Sequence, residues 1–172
     1  MIPVETDDSE IIIRPATPAD RAFVLGTTPR LAAFGPPHWR PAAEIVAGET
    51  RTLQAFFDGP PQGTALLIAA GADGGPLGFV YLQPGQDYFT RERHGHVGII
   101  AITQSGEGKG IGHALMLAAE RWARTNRYRR LTLNVFEANT RARKVYEHLG
   151  YEVEALGYVK ILDAGDSAHR GI

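Results

Sequence analysis

Four glycines alternate with other residues between a β-like run and an amphipathic segment, and this loop limits the fold more than any other feature of the chain. The glycines are Gly106, Gly108, Gly110 and Gly112. Behind them, one face of a predicted helix carries Ile111, Leu115, Ala118 and Trp122. A helix that begins in such a loop presents unpaired amide groups and the positive end of its dipole to an anion.

The loop matches neither of the two common nucleotide motifs. Gly110 follows Lys109, where a Walker loop needs Ser or Thr. His113 stands where a dinucleotide fingerprint needs its third glycine, and no acidic residue follows at the distance that a ribose contact requires. The sequence predicts a diphosphate site, and the alternative is a glycine-rich turn without a ligand.

The order of predicted elements is mixed α/β. Thr17 and Pro18 are typical of the start of a first helix, and Asn139 is typical of the N-cap of the last one. Between and beyond them we predict a helix at 41–57, strands at 65–70, 77–82 and 96–102, a helix from 110, a strand at 131–135, and two final strands at 151–155 and 157–162.

The length of 172 residues fits one domain. We expect a flexible tail over 1–10, a single folded domain over 11–162 and a polar tail over 163–172. The apolar runs are too short to span a bilayer and the first residues are acidic, so we expect a cytoplasmic protein without a membrane partner.

The chain has no cysteine, which excludes a disulfide framework, a thiolate zinc site and a cysteine nucleophile. We expect no metal. The formal net charge of −1 argues against a nucleic-acid partner, although the arginine-rich stretch 121–130 keeps that alternative open. Residues 107–148 hold nine basic and four acidic side chains, so this segment is basic and the remainder is acidic.

Two stretches together resemble the GNAT-type N-acetyltransferase family. Its pyrophosphate motif, R/Q-x-x-G-x-G/A, is matched at Gly110 and Gly112 but has Glu107 at its first position. The segment LTLNVFEANTRARKVYEHLGYE carries the second family pattern at Asn139, Ala142, Tyr146 and Gly150. The start IIIRPATPAD is similar to the family's first strand and helix, so the resemblance covers about residues 11–162.

The resemblance implies an α+β fold: a splayed, mostly antiparallel mixed sheet of about seven strands, with about four helices on its two faces. The fourth and fifth strands would part to admit the pantetheine of acetyl-CoA. Carried over by position, the cofactor-binding residues are Ile100, Ala101 and Ile102 on the fourth strand, Glu107, Gly108, Lys109, Gly110, Ile111, Gly112 and His113 in the loop, and Asn139 and Tyr146.

The implied activity is direct transfer of an acetyl group from acetyl-CoA to a primary amine, of a small molecule or of a peptide or protein, through a ternary complex. Tyr146 would be the general acid. The alternative is a non-catalytic acyl-CoA-binding or regulatory module of the same fold. A homodimer is compatible with the resemblance, and the sequence does not decide the oligomeric state.

The general base is a separate question. Some relatives place a Glu on the fifth strand where this chain has Asn134, which cannot act as a base. His94 and His96 share one face of the predicted fourth strand, and Glu92 precedes them. We choose His96 as the base, with His94 and Glu92 as alternatives. The expected acceptor pocket lies between 30–41, with Phe34, His38 and Trp39, and the Tyr88-Phe89 loop.

Glu107 is the main departure from the family pattern. We expect its side chain to point to water and its charge to be offset by Lys109, so that acetyl-CoA binds more weakly than in relatives. Replacement of Glu107 by Gln or Arg should then lower the dissociation constant.

Overall fold

The computed structural model describes residues 10–162, so the predicted tail 163–172 and nearly all of the predicted tail 1–10 lie outside the described residues. Five strands form one sheet in chain order. They are β1 (Ile12–Pro15), β2 (Ala65–Ala70), β3 (Pro76–Gln86), β4 (Arg93–Ile102) and β5 (Leu131–Leu133). The first three pairings are antiparallel and the β4–β5 pairing is parallel. The prediction of a mixed, mostly antiparallel sheet is confirmed.

Within the described residues, four α-helices cover the sheet, as predicted. They are α1 (Arg21–Thr27), α2 (Ala42–Asp58), α3 (Ile111–Thr125) and α4 (Thr140–His148). Short 3-10 helices at Pro18–Asp20, Thr28–Ala32 and Gln104–Gly106 join some of these elements. Val24 and Leu53 bury α1 and α2 against one side of the sheet. Leu115 of α3 and Tyr146 of α4 pack on the other side. We call these sides the α1/α2 face and the α3/α4 face.

An ion pair joins the first strand to the first helix. Arg14 donates two hydrogen bonds to the carboxylate of Asp20, both of 2.8 Å, and the amide of Thr17 donates a third at 2.7 Å. Asp20 is buried. The hydrogen bond from Arg14, together with those from Thr17, lowers the pKa of Asp20 to about 2. The contacts fix the helix start at the position that the sequence predicts.

The prediction of about seven strands is wrong, because neither 151–155 nor 157–162 is a strand. Tyr158 is 89% exposed and Leu162 is 78% exposed. Alternation of apolar residues favours a strand only where a neighbouring strand pairs with it, and within the described residues β5 pairs with β4 alone.

The hairpin before the site is longer than predicted. Residues 83–86 of β3 continue the antiparallel pairing with residues 93–96 of β4, so only 87–92 form the connecting loop. The extension places His94 inside a strand rather than in a loop. Among the described residues, no helix is long and apolar enough to cross a membrane.

Candidate active site

Strands β4 and β5 pair in parallel over a short stretch at the candidate site and do not pair beyond it. β5 pairs with β4 at three positions only, Gly95 with Leu131, His96 with Thr132 and Val97 with Leu133. A bulge follows in β4, because Leu82 of β3 opposes Val97 while Tyr81 opposes Ile99. Beyond the bulge, no described strand pairs with the β5 side of β4. The edge up to Ile102 is therefore open to another extended group.

Two histidines contact one threonine at the middle of this pairing. The Nδ1 atom of His96 lies 2.8 Å from Oγ1 of Thr132, and Nδ1 of His94 lies 3.3 Å from the same oxygen. Leu131, Leu133 and Val97 pack on the α3/α4 face, so the neighbouring His96 and Thr132 project to the α1/α2 face. Both histidines share that face, as the sequence predicts.

The surroundings favour the uncharged form of His96. Burial and then the charge of His94 lower the pKa of His96 from its ordinary value. In the tautomer in which Nδ1–H donates to Oγ1 of Thr132, the other ring nitrogen, Nε2, carries the lone pair that can accept a proton. Thr132 was not among the predicted site residues, and its one signal in the sequence is a hydroxyl at an alternating position of the fifth strand.

His94 has space only because its partner on β3 is a glycine. Gly85 opposes His94 in the antiparallel pair. A Cβ at Gly85 would lie 2.3 Å from Cε1 of His94, well inside contact distance. The alternative base Glu92 turns instead to Arg130, whose guanidinium is 3.7 Å from its carboxylate and also 3.1 Å from Asp87. This ion pair directs Glu92 to the start of β5.

The glycine loop forms the turn that the sequence predicts. Gly108 and Gly110 have φ values of 72° and 75°, a region that favours glycine. The first backbone bond into α3 runs from the amide of Ala114 to the carbonyl of Gly110. Within residues 10–162, the amides of 108–113 meet no protein acceptor. Six neighbouring N–H groups at a helix N-terminus fit a diphosphate.

The expected charge partner of Glu107 is wrong. The residue is exposed, as expected, but its carboxylate binds Arg30, from the 3-10 helix before α2, and Arg141, from α4, rather than Lys109. Arg141 and Arg30 lower the pKa of Glu107. The sequence could not show this, because residues 30 and 141 are far from the loop along the chain.

Asn139 and Tyr146 lie on α4, as the resemblance implies. Oδ1 of Asn139 accepts a 3.3 Å hydrogen bond from the amide of Ala142, so Asn139 is the predicted N-cap. Tyr146 is half-buried, with its ring centroid 6.1 Å from that of Tyr151. Burial raises the pKa of Tyr146, so its phenol is protonated at neutral pH.

A groove of about 320 Å³ lies on the α1/α2 side of the chain. Residues of α2, among them Glu44, Glu49 and Thr52, line it together with Phe136. Phe34 stacks on Phe136 with a centroid distance of 5.2 Å, which brings the segment 30–41 to this groove. Burial raises the pKa of Glu49. The predicted aromatic Tyr88-Phe89 loop is exposed and does not line the groove.

Residues 35–151 match the family described as "Acetyltransferase (GNAT) family". The chain belongs to this family. The match includes the fourth strand, the glycine loop and α4, so it covers most of the site described above.

Individual relatives agree with the GNAT assignment. Over 60 residues the chain is 43% identical to the 5-NmdU N-acetyltransferase of Pseudomonas phage PaMx11, a stretch that spans 34% of this chain and 41% of that relative. A putative acetyl transferase from Pyrococcus furiosus has a TM-score of 0.68 at 21% identity, over 89% of this chain and 100% of that chain. An aminoglycoside N-acetyltransferase solved with CoA has a TM-score of 0.63 at 22% identity, over 91% and 99%. These solved structures share the fold of this GNAT chain.

Proposed function

We propose that this chain transfers the acetyl group of acetyl-CoA directly to a primary amine within a ternary complex. The observation that carries the proposal is the half-buried His96, held by Thr132 within the short β4–β5 pairing. Family membership supplies the donor, since GNAT enzymes use acetyl-CoA.

The donor would lie along the open edge of β4 and against the glycine loop. The amides of 108–113 would hold the diphosphate, and the backbone of Ile100 and Ala101 would pair with the pantetheine. The Ile102 carbonyl accepts a 3.3 Å hydrogen bond from Nε of Arg30. Asn139 uses Oδ1 for capping, which leaves its amide nitrogen for the donor.

The chemistry needs one proton acceptor and one proton donor. His96 would take a proton from the attacking amine on Nε2 as the new C–N bond forms. Tyr146 would give its phenolic proton to the sulfur as the C–S bond breaks, and its raised pKa keeps that proton in place until then. No covalent intermediate on the protein is needed, which agrees with a chain that has no cysteine.

The groove between α2 and Phe136 is the proposed acceptor site. Glu49 places a carboxyl group there, Glu44 is paired with Arg40 of the same groove at 3.8 Å, and Phe136 supplies an aromatic wall against Phe34. A cationic amine with a flat or apolar body fits this lining. The relative that acts on 5-NmdU makes that amine the first acceptor to test.

The test is release of free thiol from acetyl-CoA against a panel of amines, including 5-NmdU, simple alkylamines, aminoglycosides and peptide N-termini. We expect turnover with at least one acceptor and a loss of about a hundredfold in kcat for Tyr146→Phe and for His96→Asn. Tyr128→Phe is the matched control, because Tyr128 packs on Trp122 outside the site. Binding of acetyl-CoA without turnover across the panel would instead support the non-catalytic module, which the Asn at position 134 favours.

A further inference from the structure

Two arginines from separate parts of the fold converge on one carboxylate at the glycine loop. Arg30 lies in the 3-10 helix Thr28–Ala32 and Arg141 lies in the first turn of α4. Arg30 binds Oε1 of Glu107, and Nη1 of Arg141 is 3.4 Å from Oε2. The carboxylate thus occupies an anion position between two guanidinium groups.

The two arginines have more positive charge and more N–H donors than Glu107 uses. Two guanidinium groups against one carboxylate leave a net positive charge, and each guanidinium has five N–H donors. In residues 10–162, Arg30 uses only Nε and Nη2, and Arg141 uses only Nη1. The unused N–H groups lie beside a loop whose amides also meet no protein acceptor. An oxyanion larger than a carboxylate can therefore be bound from both sides.

We propose that Arg30 and Arg141 form a clamp for the phosphates of the acyl donor, and that Glu107 holds this clamp until a phosphate displaces its carboxylate. The inference rests on the proposed function only in taking an acyl-CoA as the ligand. Phosphate carries more negative charge than carboxylate, so the exchange favours the donor. Where the family motif has Arg or Gln, this chain has Glu107, and two other elements bring arginines to the loop.

The exchange gives Glu107 a definite effect on affinity. Its carboxylate competes with phosphate for the same N–H groups, so removal of its charge should strengthen donor binding. A purely structural ion pair would instead change the stability of the chain and affect every donor equally, with or without phosphates.

The experiment is calorimetric titration of the full chain with CoA and with acetylpantetheine, which has no phosphates, in the absence of any amine. We expect Arg30→Gln and Arg141→Gln each to raise the Kd for CoA roughly tenfold and to leave the Kd for acetylpantetheine unchanged. Arg143→Gln is the matched control, since Arg143 lies on the same helix as Arg141 but its guanidinium binds Glu137, which precedes that helix. Dephospho-CoA shows whether the clamp holds the diphosphate or the 3′-phosphate.

Glu107→Gln provides the second test of the clamp. We expect it to lower the Kd for CoA in the native background and to have no effect in the Arg30→Gln/Arg141→Gln background. The clamp is overturned if the arginine variants bind CoA as the native chain does, if they weaken acetylpantetheine equally, or if Glu107→Gln weakens CoA binding. Those results leave the transferase proposal intact, whereas a native chain that does not bind CoA overturns both.

Discussion

The Nδ1 atom of His96 lies 2.8 Å from Oγ1 of Thr132, its direct partner in the parallel β4–β5 pair. A hydroxyl can donate to one imidazole while it accepts from another, and Oγ1 of Thr132 is also 3.3 Å from Nδ1 of His94. Thr132 thereby fixes the ring orientation of His96 and directs Nε2 away from this contact.

Thr132→Val should lower activity without much loss of stability. Valine keeps the branched shape but removes the hydroxyl, so the ring of His96 loses its anchor and its tautomer is no longer fixed. We expect kcat/KM to fall roughly tenfold, the equivalent of one lost hydrogen bond. Thr132→Ser keeps the hydroxyl and should retain most of the activity. Equal losses in the two variants would show that the hydroxyl does not act on His96.

The pH dependence of kcat should follow the depressed pKa of His96. A base is active when it has lost its proton, so activity falls as the pH drops through that pKa, below the ordinary value of about 6.5. His94→Gln removes a like charge and should move this acid limb to higher pH. The limb is measured at saturating substrates, with His148→Gln as the exposed control. If the acid limb does not move in His94→Gln, His94 does not lower the pKa of His96.

Gly85→Ala should damage the site while the fold persists. The added methyl group would lie 2.3 Å from Cε1 of His94, so the ring must leave its place beside Thr132. We expect kcat/KM to fall by about tenfold, since small displacements of catalytic groups are costly. Gly26→Ala is the matched control, because a Cβ there meets nothing within 4 Å. Thermal unfolding of both variants separates a site effect from a folding effect.

Asp20→Asn should destabilise the chain at neutral pH. The folded-state pKa of Asp20 is about 2, below the unfolded value of about 3.9, so its ion pair with Arg14 stabilises the fold above pH 4. That contribution is lost as the pH falls through 2. We expect a loss of about 2 kcal/mol at pH 7 that shrinks toward zero near pH 2.

Urea unfolding at several pH values measures this difference. Asp58→Asn is its control, because Asp58 pairs with Arg21 at the same 2.8 Å but is largely exposed. An exposed pair contributes little, so we expect a change below about 0.5 kcal/mol in Asp58→Asn at every pH. A similar loss in both variants would contradict the argument from burial.

Local patterns were enough to predict most of the elements. The N-caps at Thr17 and Asn139, the periodicity of Ile111 to Trp122 and the glycine loop all depend on residues within a few positions of one another. The prediction of the last two strands was wrong because a strand depends on residues far away in the sequence. A strand requires a partner, and the apolar alternation of 151–162 does not specify one.

The site divides in the same way. A motif or a two-residue period was enough to predict where some candidate residues lie. These are 108–113 in the glycine loop, Asn139, Tyr146, and the shared face of His94 and His96. Thr132, Gly85 and the groove at Phe136 could not be predicted, because each matters through a neighbour on another strand or helix.

The sequence by itself determined the order of elements up to α4, the glycine loop, the resemblance to the family and the absence of a cysteine nucleophile. Only the tertiary structure decided that His96 is held by Thr132 and that the carboxylate of Glu107 pairs with Arg30 and Arg141 rather than with Lys109. The reason is physical. Backbone conformation follows from nearby residues, whereas the orientation and charge state of a side chain depend on the groups that the packed fold brings to it.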